Sequence, residues 1–310
     1  MGMTISTSNF YQTTTDQLGA VQTNLTKIES QLASGTQNTK PSDDPNKAAL
    51  ILNIKSQIDR QTGYQDTITT VSSRLQTQDT ALQNVTTLLS QFNQLAVQAA
   101  SDTVSPTDRQ TIAKQMTQLK AQIVSDANTQ DGTGNYVFAG GRSDQPAYST
   151  DTNGNVTYRG DQNTMQVSVG DSLKITMNTP GSTAFTNVIR DDPKGGQMGV
   201  GFFQSLNDLI GSVNNSDTVN IQRGIGELKT LSQGVNDALA NIGSNEALAT
   251  NQSSVLSEAT LRLNTTLSTV QDLNYTQAIT KMNQDQLALQ AAQSAFAQIA
   301  KNTLFNYING

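Results

Sequence analysis

A chain of 310 residues is long enough to form two or three domains and to bury a sizeable core. Its 19 Lys and Arg stand against 25 Asp and Glu, a net charge of −6, and the basic residues are scattered, so the phosphate-tracking surface of a nucleic-acid binder is missing. Cys, His and Trp are absent, which removes disulfides, thiolate nucleophiles, the commonest zinc ligands and the usual general base near neutral pH.

Only 14% of the residues are charged, whereas Ser, Thr, Asn and Gln make up roughly two-fifths of the chain, well above an ordinary soluble domain. The solvated faces are therefore expected to be amides and hydroxyls. Met1 to Phe10 lacks the basic start and apolar core of a secretory signal peptide, and no stretch reaches the roughly 20 apolar residues of a membrane span. Neither a nucleic acid nor a membrane is an expected partner, and an exported chain would need another route.

All six prolines fall at positions 41, 45, 106, 146, 180 and 193, so residues 1–40, 46–104, 107–130 and 194–310 escape the strongest helix breaker and are predicted to be helical. In the first block Leu18, Val21, Leu25, Ile28 and Leu32 alternate spacings of three and four, a narrow a/d seam, and Gly35 is its natural stop. Next comes PSDDP at Pro41 to Pro45. Ser42, Asp43 or Asp44 can accept from the free amides of a following helix and Pro45 suits its first turn, a better reading than an acidic metal loop.

The second block carries the rhythm further, through Tyr64, Ile68, Val71, Leu75, Leu82, Val85, Leu89, Phe92, Ala96 and Ala99, with Gln78 as the polar member. Ser105-Pro106-Thr107-Asp108 then sets a hydroxyl cap, a proline and an acid at the start of a helix predicted to reach about Asn128.

From Asp131 to Gly201 the period changes. Alternation in Val156/Tyr158, Met165/Val167/Val169 and Leu173/Ile175/Met177 predicts strands, and Asn153-Gly154 and Gly170-Asp171 tolerate the positive φ of two-residue hairpin turns. Gly132, Gly134, Gly140 and Gly141 lack the order of a phosphate-binding loop and are read as turn glycines. Helical period returns through Phe203, Leu206, Leu209, Ile210 and Val213, then Ile221 to Ile242, where Gly243 is expected to cap a helix. A last helix is predicted from about Asn245 to Tyr307.

The expected fold is mainly α. Long antiparallel coiled-coil helices from both chain ends form a rod, and a small β-rich insert lies in the middle. The expected segments are 1–45 and 271–310 for an inner coiled-coil domain, 46–131 and 201–270 for a rod core, and 132–200 for a small β-rich outer domain. No residue is assigned a catalytic, metal-binding or cofactor-binding role.

The candidate functional residues are the terminal seams: Leu18, Val21, Leu25, Ile28 and Leu32 at one end, and Tyr275, Ile279, Met282, Leu289, Phe296 and Tyr307 at the other. Gln286, Gln293, Ala300 and Thr303 interrupt the second seam, so two such helices alone pair weakly and need neighbours. The seams are therefore the expected assembly interface.

Several stretches then match a family. MTISTSNFY at 3–11, QLASGTQNTKPSDDPNKAAL at 31–50, VQAASDTVSPTDRQTIAKQM at 97–116 and QLALQAAQSAFAQIAKNTLFNYI at 286–308 resemble the flagellin-related axial proteins of the bacterial flagellum. ANTQDGTGNYVFAGGRSDQPAY at 127–148 is similar to its hook-associated members. Thr36, Gln37, Asn38 and Asn245 stand where the family pattern has basic residues, and Gln91 and Asn93 where flagellins carry arginines.

This resemblance implies a structural, non-enzymatic subunit without a cofactor. Its terminal helices would form the inner coiled coil of a tubular polymer, with the insert facing outward. It also implies delivery to the cell exterior by the flagellar type III apparatus with an export chaperone. The implied partners are hook-associated protein 1, flagellin and further copies of the chain in a ring, and the implied role is an adaptor joining hook to filament. A flagellin filament subunit is the alternative.

Overall fold

In the computed structural model the backbone is described for residues 2–38, 40–191 and 196–308, and side chains for 9, 11–38, 40–191 and 196–298. The described chain is mainly α with a β-rich middle. It holds seven helices, α1 (Gly2–Ser34), α2 (Pro45–Ala99), α3 (Pro106–Ala127), α4 (Gly181–Ala184), α5 (Phe202–Asn214), α6 (Thr218–Gln271) and α7 (Tyr275–Ile308). Six short strands are β1 (Tyr148–Thr150), β2 (Val156–Tyr158), β3 (Gln166–Ser168), β4 (Lys174–Thr176), β5 (Val188–Asp191) and β6 (Gln197–Val200).

The chain folds as two compact units. Unit 1 is Met1–Arg60 with Ala259–Gly310, and unit 2 is Gln61–Glu258. The long helices α2 and α6 supply residues to both.

Unit 2 has one contiguous core. The a/d stripe of α2 from Ile68 to Ala99 is buried against Ile112, Met116 and Ile123 of α3, Leu206 and Leu209 of α5, and Ile221 to Leu256 of α6. The strands form three separate antiparallel pairs, β1 with β2, β3 with β4 and β5 with β6. Their inward residues Tyr148, Ile175, Val188 and Val200 join the same core. Strands of three or four residues cannot close a core alone, so the described residues of this middle segment, 132–191 and 196–200, share the core of the helices. Phe185 makes edge contacts with Phe138, Tyr148 and Phe202, at centroid separations of 5.7, 5.5 and 5.1 Å.

Polar side chains complete that docking. Gln78, fully buried on α2, donates to the Met177 carbonyl at 3.1 Å and accepts from the Thr179 amide at 2.8 Å. Lys120 donates to the Gly154 carbonyl at 2.9 Å and to Asn207 Oδ1 at 2.5 Å, and its burial holds the ammonium pKa below the ordinary lysine value against the pull of Asp151. Arg190 of β5 forks onto Glu227 with two 2.6 Å bonds and also meets Asp208. Arg109 donates to the carbonyls of Ala99 and Ser101, both at 2.9 Å, closing the end of α2.

Three details differ from the sequence reading. The hairpin loops are five residues long. Asp151 to Asn155 closes with Asp151 N bonded to Asn155 O at 2.9 Å, and Val169 to Leu173 with Val169 N bonded to Leu173 O at 2.9 Å. Gly154 has the expected positive φ of 81°, but Gly170 does not: its place follows from Gln252, whose Nε2 lies 3.1 Å from where a Cβ would sit. Gly243 caps nothing, because α6 continues to Gln271 with Ile242 and Ala249 both fully buried beside it. Burial of the flanking residues outweighs the roughly 1 kcal/mol that an interior glycine costs. The helix break falls instead at 272–274.

Candidate assembly interface

The candidate site lies in unit 1, where α1 pairs with α7. The two helices run antiparallel: the Tyr11 and Phe296 rings meet edge-on at 5.3 Å near one end, and Tyr275 covers Gly35 at the other. Gly35 stops α1 with φ +70°, and its amide donates to the Gln31 carbonyl at 2.8 Å. At +70° a side chain is strained, and the Tyr275 hydroxyl stands only 3.0 Å from where a Cβ would be.

Just beyond these ends the two connecting segments tie together. Leu273 N donates to Gly35 O and Gln37 N to Gln271 O, both at 2.9 Å, around a bridge between Thr36 and Asp272. The new helices then start on side-chain caps. Asp44 Oδ1 accepts from Lys47 N at 3.0 Å with Pro45 in the first turn, and Asn274 Oδ1 accepts from Gln277 N at 3.1 Å. Ser42 and Asp43 are exposed, and Asp43 Oδ2 takes the Lys40 amide at 3.3 Å.

On α1, Ile28 is buried to 8% exposure, and Leu18, Val21, Leu25 and Leu32 are half-buried. On α7 the covered line runs through Ala278, Met282, Asp285, Leu289, Ala292 and Phe296. Of the seam residues expected from sequence, Met282, Leu289 and Phe296 are half-buried, and the Phe296 ring meets Tyr11 of α1. Tyr275 is 51% and Ile279 45% exposed, so α1 does not cover them. The side chain of Tyr307 lies outside the described residues. The covered line of α7 thus alternates small and large residues, and Ile279 lies off it.

Asp285 was missed by sequence reasoning. It is buried to 9% exposure inside this seam, its Oδ1 accepts from Lys281 Nζ at 3.0 Å, and its Oδ2 has no hydrogen-bond partner. The available signal was the spacing 278, 282, 285, 289, 292, 296, which keeps the three-four rhythm with alanines and an acid in place of large apolar residues.

Chemically the site offers apolar contact and hydrogen bonding. Among the described residues no group of three or more His, Cys, Asp or Glu is placed to hold a metal ion, and no helix is long and apolar enough to cross a membrane.

The pattern of the bacterial flagellin N-terminal helical region matches residues 5–143. Flagellar hook-associated protein 3 of Salmonella typhimurium is 23% identical over 316 aligned residues, covering 98% of this chain and 99% of that protein. Among solved structures, the fold is shared with Xanthomonas campestris FlgL, at a TM-score of 0.63 and 21% identity over 69% of this chain and 99% of that one. It is also shared with the flagellar junction protein FlgL of Legionella pneumophila, at a TM-score of 0.52 and 17% identity over 73% and 99%. Over nearly its full length the chain is therefore similar to flagellar hook-associated protein 3, and over residues 5–143 to the N-terminal helical region of bacterial flagellin.

Proposed function

We propose that this chain forms the adaptor ring between the flagellar hook and the flagellin filament. Copies associate side by side through α1 and α7, one face of the ring meets hook-associated protein 1 and the other meets flagellin. The observation that carries this reading is the incomplete burial of the terminal pair. Two helices of 33 and 34 residues leave most of their described seam residues half-buried, while Ile279 and Leu287 stay exposed on α7. Helix pairs with one narrow seam are marginal in water, and neighbouring copies would cover the remaining faces. The names of the relatives, hook-associated protein 3 and flagellar junction protein, support the same place in the assembly.

The chain reaches that place by flagellar type III export, held before export by a chaperone. It acts by packing, without catalysis. The test is to place a charge in the pair: Leu25→Asp or Phe296→Asp, expressed in cells that lack their own copy. Hooks should persist while filaments fail to grow and flagellin is shed into the medium. Filaments of normal length on either variant would refute the assignment of these helices.

A further inference from the structure

Unit 1 contains two helix breaks, one after α1 and one between α6 and α7, and each supplies what the other lacks. The last carbonyls of a helix have no partner within it. Gln271 O, at the last residue of α6, accepts from the Gln37 amide, and Gly35 O, just past the end of α1, accepts from the Leu273 amide, both at 2.9 Å. Between these bonds Thr36 and Asp272 stand opposite each other in an antiparallel bridge. Gln37 completes the arrangement with its side chain. Its Nε2 donates to the Asp272 carbonyl at 2.8 Å, and its Oε1 accepts from Lys47 Nζ of α2. Its own carbonyl accepts from Gln31 Nε2 of α1. One glutamine thus binds α1, α2 and the segment between α6 and α7.

We propose that the two breaks form a single clasp, pinned by Gln37, that opens and closes as one event and governs whether α1 and α7 are held as a pair. Opening either break alone strands an amide and a helix-end carbonyl of the other, so the bonds of both are lost together. The helices beyond the clasp do not compensate. Leu18, Val21, Leu25 and Leu32 are only half-buried, and helices with so little burial are marginal in water. Opening therefore releases both helices at once, although Gln37 lies outside their seam. Cooperative local opening of this kind is drawn from the least stable parts of a protein. The meaning of the clasp for assembly rests on the adaptor-ring reading, but the clasp itself is a property of the isolated chain and is tested there, apart from any ring.

Amide hydrogen exchange of the purified monomeric full chain, resolved to single residues by NMR, is the test. Each break is perturbed from its own side. Gly35→Ala strains the first, where φ is +70°. Asn274→Ala removes the cap of α7 at the second, where Oδ1 accepts from the Gln277 amide at 3.1 Å. Gln37→Ala removes the pin. In the parent the Gln37 and Leu273 amides should exchange at rates within about threefold of each other. Each of the three variants should accelerate both amides by roughly fivefold or more. Ser105→Ala, which removes the cap of α3 in unit 2, should leave both rates unchanged. Acceleration confined to the perturbed break, clearly unequal rates in the parent, or rates that none of the three variants changes would overturn the clasp. Equal acceleration by Ser105→Ala would assign both rates to global opening and overturn it as well.

Discussion

The two units use the same amide-rich, weakly charged sequence to opposite ends. Unit 2 buries Phe92, Leu75, Leu82, Leu89, Met116, Ile123, Leu206 and Ile221 to less than 2% exposure, in a core that joins α2, α3, α5, α6 and the strand pairs. In unit 1, among the described residues, only Ile28, Ile54 and Ala278 count as buried apolar side chains. Both have long helices with a three-four rhythm, so helical pattern alone does not separate a self-sufficient core from an unfinished one. The difference lies in how many elements converge on each seam. In unit 2 the α2 stripe is closed by several elements, whereas α1 has the single face of α7.

The sharpest way to break this comparison is to cut one aromatic from each unit. Phe92→Ala removes a fully buried ring and should cost about 3–5 kcal/mol. Phe296→Ala removes a half-buried ring whose aromatic contact is the edge-on meeting with Tyr11, and should cost the monomer about 1 kcal/mol. Urea unfolding of the purified chain followed by circular dichroism measures both. Equal costs would mean that unit 1 is already closed in the monomer.

Within unit 2, Gln78→Leu tests whether the strand pairs depend on the helices. The substitution keeps apolar volume but strands the Thr179 amide and the Met177 carbonyl, and a loss of about 1–3 kcal/mol is expected. No change would show that residues 132–200 hold themselves in place.

A pair of glycines in α6 sharpens the comparison further, because the two substitutions should differ in sign. A Cβ on Gly234 would stand 2.2 Å from Thr186 Oγ1, so Gly234→Ala must push a short branched side chain aside and should cost about 1–3 kcal/mol. At Gly243 nothing lies within 4 Å, and Gly243→Ala should stabilise by about 0.5–1 kcal/mol through helix propensity. Thermal midpoints of the two variants give the comparison directly.

That same Gly243 marks the limit of what the sequence reveals. The a/d stripe of α2, the Ser105 cap with Pro106 and the β-rich middle were legible because each is a local pattern with one physical cause. Ser105 Oγ accepts from Asp108 N at 3.2 Å, as that spacing requires. The end of α6 was not legible, because a glycine that interrupts an isolated helix is overridden when Ile242 and Ala249 are buried on either side. Half of the α7 seam was legible too. Met282, Leu289 and Phe296 belong to both possible lines, and only the packing partner decides that the second line runs through Ala278, Asp285 and Ala292 instead of Ile279, Gln286 and Gln293. The hairpin loops carried a signal that short-range turn rules do not use. Asp131-Gly-Thr-Gly-Asn135 and Asp151-Thr-Asn-Gly-Asn155 close alike, with the aspartate carboxylate accepting the amides two and four residues on.

The smallest expected effect concerns pH. Glu246 on α6 is partly buried, its Oε1 has no hydrogen-bond partner, and burial together with the nearby Asp79 carboxylate raises its pKa above the ordinary glutamate value. A carboxyl whose folded pKa is raised destabilises the folded state once it must ionise. Below the unfolded pKa both states are protonated and nothing is lost. As pH rises through the unfolded and then the folded pKa, stability falls, and the loss persists at neutral pH. Glu246→Gln keeps the shape and removes the charge, so the variant should match the parent at the acidic end and become progressively more stable as pH rises toward neutrality. Asp79→Asn should recover a smaller part, since burial outranks the carboxylate as the cause. Urea midpoints measured from pH 4 to pH 8 test both. A gap between Glu246→Gln and the parent that stays constant with pH would trace the effect to packing at α6 and not to ionisation of this side chain.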